Sequence, residues 1–243
     1  MCIRDSHDAY ENAELVLSNI DGSNSQVIIK LSDYGWKSQG VCRWNKDGSK
    51  ILMCAEVPFN NTYQWRLIST NDQGRNAKIL SHHWAIDCNF SKDDSEIVFM
   101  GFTNNQLDFD LTKLELQRGT YDQARDTVID VAALTNNSSR DHDPDYAPDN
   151  NRIVFSGGNA SYSDVDLLIY DIEKEEQTIL LDDNRANGGS MSWSQDGKHV
   201  VFHSLDLFNT PFQIRVIHVA SREVTTLLAA SDNAHGYFHP ETY

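Results

Sequence analysis

The stretch Trp193-Ser194-Gln195-Asp196-Gly197-Lys198-His199-Val200-Val201-Phe202 decides how this chain is read, because it returns at regular distances. It has counterparts in Trp44-Asn45-Lys46-Asp47-Gly48-Ser49-Lys50-Ile51-Leu52-Met53, in Phe90-Ser91-Lys92-Asp93-Asp94-Ser95-Glu96-Ile97-Val98-Phe99 and in Tyr146-Ala147-Pro148-Asp149-Asn150-Asn151-Arg152-Ile153-Val154-Phe155. Each copy opens on an aromatic, places an acid three positions on, and closes with an aliphatic pair and Met or Phe. A fifth copy begins at Phe238-His239-Pro240-Glu241. The anchors Trp44, Phe90, Tyr146, Trp193 and Phe238 stand 46, 56, 47 and 45 residues apart. A period of that length is the signature of a repeat architecture.

The physical content of the repeat is a β-hairpin. The aromatic ends one strand, and the acid with the following Gly, Asp or Asn forms the turn. A short carboxylate there accepts backbone N–H bonds, and Gly or Asn tolerates positive φ. The apolar run that follows suits a strand buried on both faces. A third strand is expected at Gln64–Ser69, Phe109–Leu116, Asp166–Asp171 and Gln213–Val219, and a fourth at Ala77–Leu80, Thr178–Leu181 and Val224–Leu228. Before the first anchor, Glu14–Leu31 supplies two strands across Asp21-Gly22. The expected fold is therefore all-β: a β-propeller of four-stranded antiparallel blades, with four whole blades and partial blades at both ends. A linear solenoid is the rival, but its repeats are usually shorter. Blade boundaries fall at 14–37 (partial), 38–82, 83–139, 140–186, 187–232 and 233–243 (partial), after a leader at 1–13 that reads as non-native or disordered.

The run from Trp193 to Phe202, with its copies, resembles the blades of the TolB-like, WD40-like propeller repeat family. The same blade type occurs in propeller domains of prolyl oligopeptidase and dipeptidyl peptidase relatives and in oligogalacturonate lyases. The resemblance covers residues 14–243 and specifies blade type rather than function. It implies a fragment of a larger propeller acting as a protein- or ligand-binding scaffold in the periplasm or another exported location. It implies two alternatives: a metal-dependent polysaccharide lyase using histidines at the channel mouth, and a propeller severed from a peptidase. The copies depart from the family pattern where Asp94 and Asn150 replace Gly, and where Lys46, Lys92 and Gln195 replace Pro.

Composition narrows the partners. With 20 Lys and Arg against 36 Asp and Glu, the net charge is −16, and no clustered basic stretch relieves it, which argues against nucleic acid or an anionic membrane as partner. A hydrophobic content of 40% is enough for a sizeable core. No apolar run nears the roughly 18 residues of a membrane span. Cys2, Cys42, Cys54 and Cys88 show no metal-ligand spacing and read as thiols, with Cys42 and Cys88 at the same repeat position. Gly188-Gly189-Ser190-Met191-Ser192 fails as a nucleophile elbow at its last position. No P-loop or dinucleotide fingerprint occurs.

Strand alternation sends the connections Glu56–Tyr63, Ser156–Asp164 and Ser204–Phe212 to one face, where loops on a rigid scaffold bind ligands. The stretch Gln117–Asp126 reads as an insertion on the opposite face. His83, His142 and His235 precede anchors and His203 follows a second strand, which places them near the channel mouth. With Asp87, Asp143 and Arg140 they form the candidate binding set. Asp141-His142-Asp143 beside Arg140 is its densest patch. No catalytic residue, cofactor or oligomeric state is assigned, although imidazoles and carboxylates in this number are the donor set a divalent metal takes.

Overall fold

The computed structural model describes residues 2–5, 13–37, 39–102, 113–137, 140–158, 165–182, 191–206 and 210–229. Four sheets of four antiparallel strands follow a sheet of three. The first sheet holds β1 (Cys2–Asp5), β2 (Glu14–Leu17) and β3 (Gln26–Lys30), followed by a short 3-10 turn at Leu31–Tyr34. The first whole blade is β4 (Gln39–Trp44), β5 (Lys50–Phe59), β6 (Thr62–Asn71) and β7 (Lys78–Ile79). The second is β8 (Ile86–Phe90), β9 (Glu96–Phe102), β10 (Leu114–Asp122) and β11 (Thr127–Ala133). The third comprises β12 (Arg140–Tyr146), β13 (Arg152–Gly158), β14 (Val165–Asp171) and β15 (Glu176–Leu181). The fourth comprises β16 (Met191–Trp193), β17 (His199–Asp206), β18 (Thr210–His218) and β19 (Val224–Ala229). In every whole blade the strands lie in sequence order, and Trp44, Phe90, Tyr146 and Trp193 each end the first strand of their blade as expected.

The hairpin turns follow the physics of the repeat. Asp47, Asp93, Asp149 and Asp196 each accept the backbone N–H two residues on, from Ser49, Ser95, Asn151 and Lys198, at 2.9–3.1 Å. The next position is left-handed in all four: Gly48 (φ 71°), Asp94 (60°), Asn150 (57°) and Gly197 (67°). Serine hydroxyls at Ser49, Ser95 and Ser194 are foremost in holding the Asp47, Asp93 and Asp196 carboxyls below their usual range.

Two differences from the sequence reading concern strands. Cys2–Asp5, read as leader, pairs antiparallel with β2, Cys2 opposite Leu17 and Asp5 opposite Glu14. The stretch Gln117–Asp122, read as the start of an insertion, is strand, and only residues 123–126 form a turn. Tyr121 N–H donates to the Ser95 carbonyl at 2.9 Å and Arg118 pairs with Glu96 at 3.4 Å, which carries the strand to this point. The extra length of the second unit therefore precedes β10. The partial blade at 233–243, with Phe238, lies outside the described residues.

The chain divides into two compact units, Met1–Leu107 with Arg118–Ala132, and Asp108–Gln117 with Ala133–Tyr243. Unit 1 has two apolar clusters. One joins Leu15, Ile29, Leu31, Trp36 and Cys42 to Ile51, Met53 and Ile68. The other joins Leu52, Cys54 and Leu67 to Cys88, Phe90, Ile97 and Phe99. Successive residues of β5 from Ile51 to Ala55 thus feed opposite clusters, so this part of the strand is apolar throughout, and burying Ile51, Leu52 or Met53 contributes about 1.5–3 kcal/mol each. Cys42 and Cys88, equivalent in the repeat, belong to different clusters, and Cys42, Cys54 and Cys88 are free thiols. Unit 2 has one cluster, in which Val154, Leu167 and Ile169 meet Met191, Trp193, Val200 and Phe202. Among the described residues no helix is long and apolar enough to cross a membrane.

Polar contacts lock neighbouring blades within each unit. Both Asp94 oxygens accept the Lys46 N–H at 3.0 Å. Asp126 accepts from Lys50 Nζ (2.8 Å), Ser69 Oγ (2.9 Å) and the Tyr121 hydroxyl. Gly74 (φ 67°) packs so tightly that a Cβ would stand 1.9 Å from the Ile28 carbonyl oxygen. In unit 2 the Asp145 carboxylate accepts the Trp193 N–H at 2.8 Å, and Arg152 lies 4.8 Å from the centre of the Trp193 ring.

Burial alone would raise the Asp126 carboxyl, but the bonds from Lys50, Tyr121 and Ser69 outweigh it and hold it low. Asp126→Asn keeps the left-handed φ of 53° that Asn also tolerates, and removes the charge together with one acceptor oxygen. It should lower stability by about 1–2 kcal/mol in urea titration. A change below about 0.5 kcal/mol, the noise of ordinary surface substitutions, would show that the clasp is dispensable.

Candidate functional site

In unit 1 the candidate region is the far end of β5 and β6. These strands stay paired from Lys50 opposite Asn71 to Phe59 opposite Thr62. Asn60 (φ 46°) and Asn61 (φ 62°) close them in a two-residue turn with positive φ at both positions, as Asn permits. The expected Glu56–Tyr63 loop is thus a regular hairpin. The Asn-Asn pair between apolar runs was the signal for it.

Alternation puts Ala55, Val57 and Phe59 on one face with Gln64 and Arg66, and Glu56, Tyr63 and Trp65 on the other. Arg66 is only 4% exposed. Its Nη1 donates to the Trp65 carbonyl at 3.0 Å, its Nη2 donates to Gln64 Oε1, and its guanidinium carbon stands 5.3 Å from the centre of the Phe59 ring. On the other face Lys37 Nζ lies 4.1 Å from the centre of the Tyr63 ring. The Trp65 carbonyl also accepts the Ala85 N–H at 3.2 Å, which ties the segment carrying His83 to the hairpin. His83 Nδ1 and Ser81 Oγ share a hydrogen bond of 2.8 Å. Burial, with the positive field of Arg66 and His82, pushes His83 below its ordinary value, so it is neutral at pH 7.

Asp87 occupies a β-bulge between the pairs Ile86–Met100 and Asn89–Val98, at φ 49°. Asp143 occupies the equivalent bulge between His142 and Asp145, also at φ 49°. A third irregularity falls between Gln39 and Cys42. Bulges re-aim side chains, and a left-handed non-glycine residue marks a backbone held by its surroundings.

In unit 2, His142 lies opposite Ser156 on β13, whose hydroxyl reaches the His142 carbonyl at 3.5 Å. Asp141 is fully buried. Thr135 Oγ1 accepts the Leu116 N–H at 2.9 Å and donates to Asp141 Oδ2 at 2.8 Å, while Asn137 Nδ2 stands 3.5 Å from Oδ1. The Asn137 N–H faces both Glu115 oxygens at 3.2 and 3.3 Å. Gly157, directly opposite Asp141, leaves room for the carboxyl, since a Cβ there would stand 3.0 Å from Oδ1 and 2.7 Å from Leu168 Cδ1. Burial, partly opposed by the Thr135 bond and reinforced by the Glu115 charge, pushes Asp141 up to about 7. His203 on β17 is pushed down to about 4 by burial.

The sequence-derived set is therefore split. His83 and Asp87 belong to unit 1, and Arg140, His142, Asp143 and His203 to unit 2. Arg140 opens β12 opposite Gly158, its side chain lies outside the described residues, and so does all of His235. Asp145, two residues past Asp143, accepts the Trp193 N–H. Among the described residues no three His, Cys, Asp or Glu side chains gather as a metal-holding group. Arg66 was not singled out, although a charged residue alternating with inward Ile68 was a visible signal.

No family model matches the sequence, and no curated protein matches it. Solved structures do. TolB from Acinetobacter baumannii superposes with a TM-score of 0.67 at 16% identity, over 95% of this chain and 52% of that one. The chain has a TolB-like β-propeller fold. An oligogalacturonate lyase in complex with manganese gives 0.61 at 15% identity, over 98% of this chain and 64% of that one. A puromycin hydrolase gives 0.57 at 13% identity, over 93% of this chain and 39% of that one. The chain thus spans about half the length of the TolB structure.

The Asp141 cluster makes a signed prediction. The unfolded carboxyl releases its proton near 3.8 and the folded one near 7, so folding stability falls as pH rises through that window and is level above it. The difference bounds the effect at about 4 kcal/mol. Asp141→Asn should therefore gain stability relative to the parent between pH 4.5 and 7.5, followed by thermal melts. A pH-independent difference would show an ordinary carboxylate.

Proposed function

We propose that this chain serves as a binding scaffold of the TolB-like propeller type, taking a protein or small ligand at blade ends that carry the first-strand bulges. The observation that carries this reading is the bulge itself. Two blades hold an aspartate, Asp87 and Asp143, at the same strained φ of 49° three residues before the anchor aromatic. Apart from Asp130 (φ 52°) within β11, the other left-handed non-glycine residues fall in turns and connections, but a bulge in mid-strand is not needed to turn the chain. The neighbouring side chains supply polar recognition: neutral His83 in one unit, and His142 in the other. The acids closest to these positions in sequence, Asp141 and Asp145, are engaged by Thr135 and Trp193, which gives the bulged positions a rigid support. The likeness to TolB supports a scaffold of this kind.

The test compares surfaces within unit 2. Partners retained from a native extract by the immobilised chain should fall about tenfold, or roughly 1.4 kcal/mol, with His142→Ala or Asp143→Ala. Lys198→Ala, in an exposed hairpin turn, should leave them unchanged. Equal loss from both sets, or none from either, would overturn the assignment. Turnover of polygalacturonate to an unsaturated product by the purified chain would replace the scaffold reading with the lyase one.

A further inference from the structure

Arg66 is a buried cation whose charge no acid among the described residues answers. Its polar contacts are the Trp65 carbonyl and the Gln64 amide oxygen, both neutral; the Phe59 ring and the aliphatic Ala55 and Val57 share its face, and His83 lies within reach of its field. No ion pair to it occurs among the described residues. Glu56, the nearest acid along the hairpin, is opposite Trp65 and so belongs to the other face. Leaving a desolvated guanidinium without an anion is costly, and natural proteins rarely keep one without use. This is a chain with 36 acids, in which a carboxylate partner was easily had.

We propose that Arg66 is the base of a carboxylate-binding site at the end of the β5–β6 hairpin, for an organic acid or a peptide C-terminus carrying an apolar or aromatic group. Two of the five guanidinium N–H donors are used, and three remain to grip a carboxylate. Gln64 and the Trp65 carbonyl fix the plane of the fork beforehand, so little side-chain freedom is lost on binding. Phe59, 40% exposed and placed over the guanidinium, is the side chain on which the apolar part of the ligand stacks and past which it enters. The charge count selects a monoanion. Arg66 brings one positive charge, His83 is neutral at pH 7, and Lys37 packs on Tyr63 across the sheet. A phosphate dianion would carry excess charge into a protein that is already −16. The site lies in unit 1 and does not depend on the role assigned to His142 and Asp143.

The experiment follows the Arg Nε–H and Trp indole N–H signals of the full chain by NMR. Sodium benzoate is the probe, and benzamide at matched ionic strength is its uncharged counterpart. Benzoate should produce saturable shifts that benzamide does not, and Arg66→Gln should weaken them at least tenfold. Unliganded Arg66→Gln should melt at the same temperature as the parent or higher, because a buried unpaired charge has been removed; a residue kept for stability would give the opposite result. If Arg66→Gln does not fold, Arg66→Lys, which keeps the charge and loses the fork, should still reduce benzoate affinity. A dipeptide with a free C-terminus, set against its amide, distinguishes the two sources: tighter binding than benzoate points to a peptide terminus, weaker binding to a free acid. Absence of any saturable difference between benzoate and benzamide overturns the proposal. So does undiminished binding by Arg66→Gln, and so does inorganic phosphate binding more tightly than benzoate.

Discussion

The interaction on which this fold rests is the carboxylate-to-backbone bond that closes each blade's first hairpin. Asp47, Asp93, Asp149 and Asp196 capture the N–H two residues on, and the intervening position turns left-handed. That geometry fixes which residue of the second strand stands opposite the anchor: Ile51 opposite Trp44, Ile97 opposite Phe90, Ile153 opposite Tyr146 and Val200 opposite Trp193. A slip of one residue would exchange the faces of β5, β9, β13 and β17, and the clusters built from their alternate side chains could not form. The turn is local, but the register it sets is felt through the whole sheet.

Because the turn needs only an acid and a residue tolerant of positive φ, its other positions are free to specialise. Asp94 shows the use of that freedom. It stands where two other copies have Gly, keeps φ at 60°, and turns its carboxylate onto the Lys46 N–H of the preceding blade. The departure from Gly at this position makes a blade-to-blade contact. Asn150 makes the same left-handed turn at φ 57°. Beside these, the clasp at Asp126 belongs to one blade pair alone, so the stacking of blades is secured by individual side chains, while the blades themselves are built by the repeated ones.

Legibility in the sequence follows this division. The blade pattern was readable because it depends on residue type at fixed spacing, and the four-stranded sheets stand where the repeat put them. The limits of β10 were not, since Gln117, Arg118 and Thr120 have no apolar alternation to announce a strand and are held by partners such as Glu96. The Glu56–Tyr63 stretch read as a loop because Pro58 and two asparagines outweigh the flanking pattern, yet the asparagines make a turn tight enough to keep the strands paired. The bulges that displace Asp87 and Asp143 leave no mark in composition. Histidines could be placed along the chain from their distance to an anchor, but their environment could not: His203 and His83 are driven neutral by burial, a property of the folded surroundings.

Arg66 and Asp141 expose the same physics with opposite sign. Each is an ionisable side chain buried within a blade, at the end of the strand away from the acid turn. Asp141 reduces the cost of burial by holding its proton up to about pH 7, with Thr135 and Asn137 beside its oxygens. A guanidinium has no such escape, because it cannot lose its proton near neutral pH. The two sites therefore meet the same desolvation problem differently: the carboxyl can become neutral within the protein, whereas the arginine keeps its charge, and no acid among the described residues pairs with it. That asymmetry is what separates a buried group that belongs to the fold from one that points beyond it.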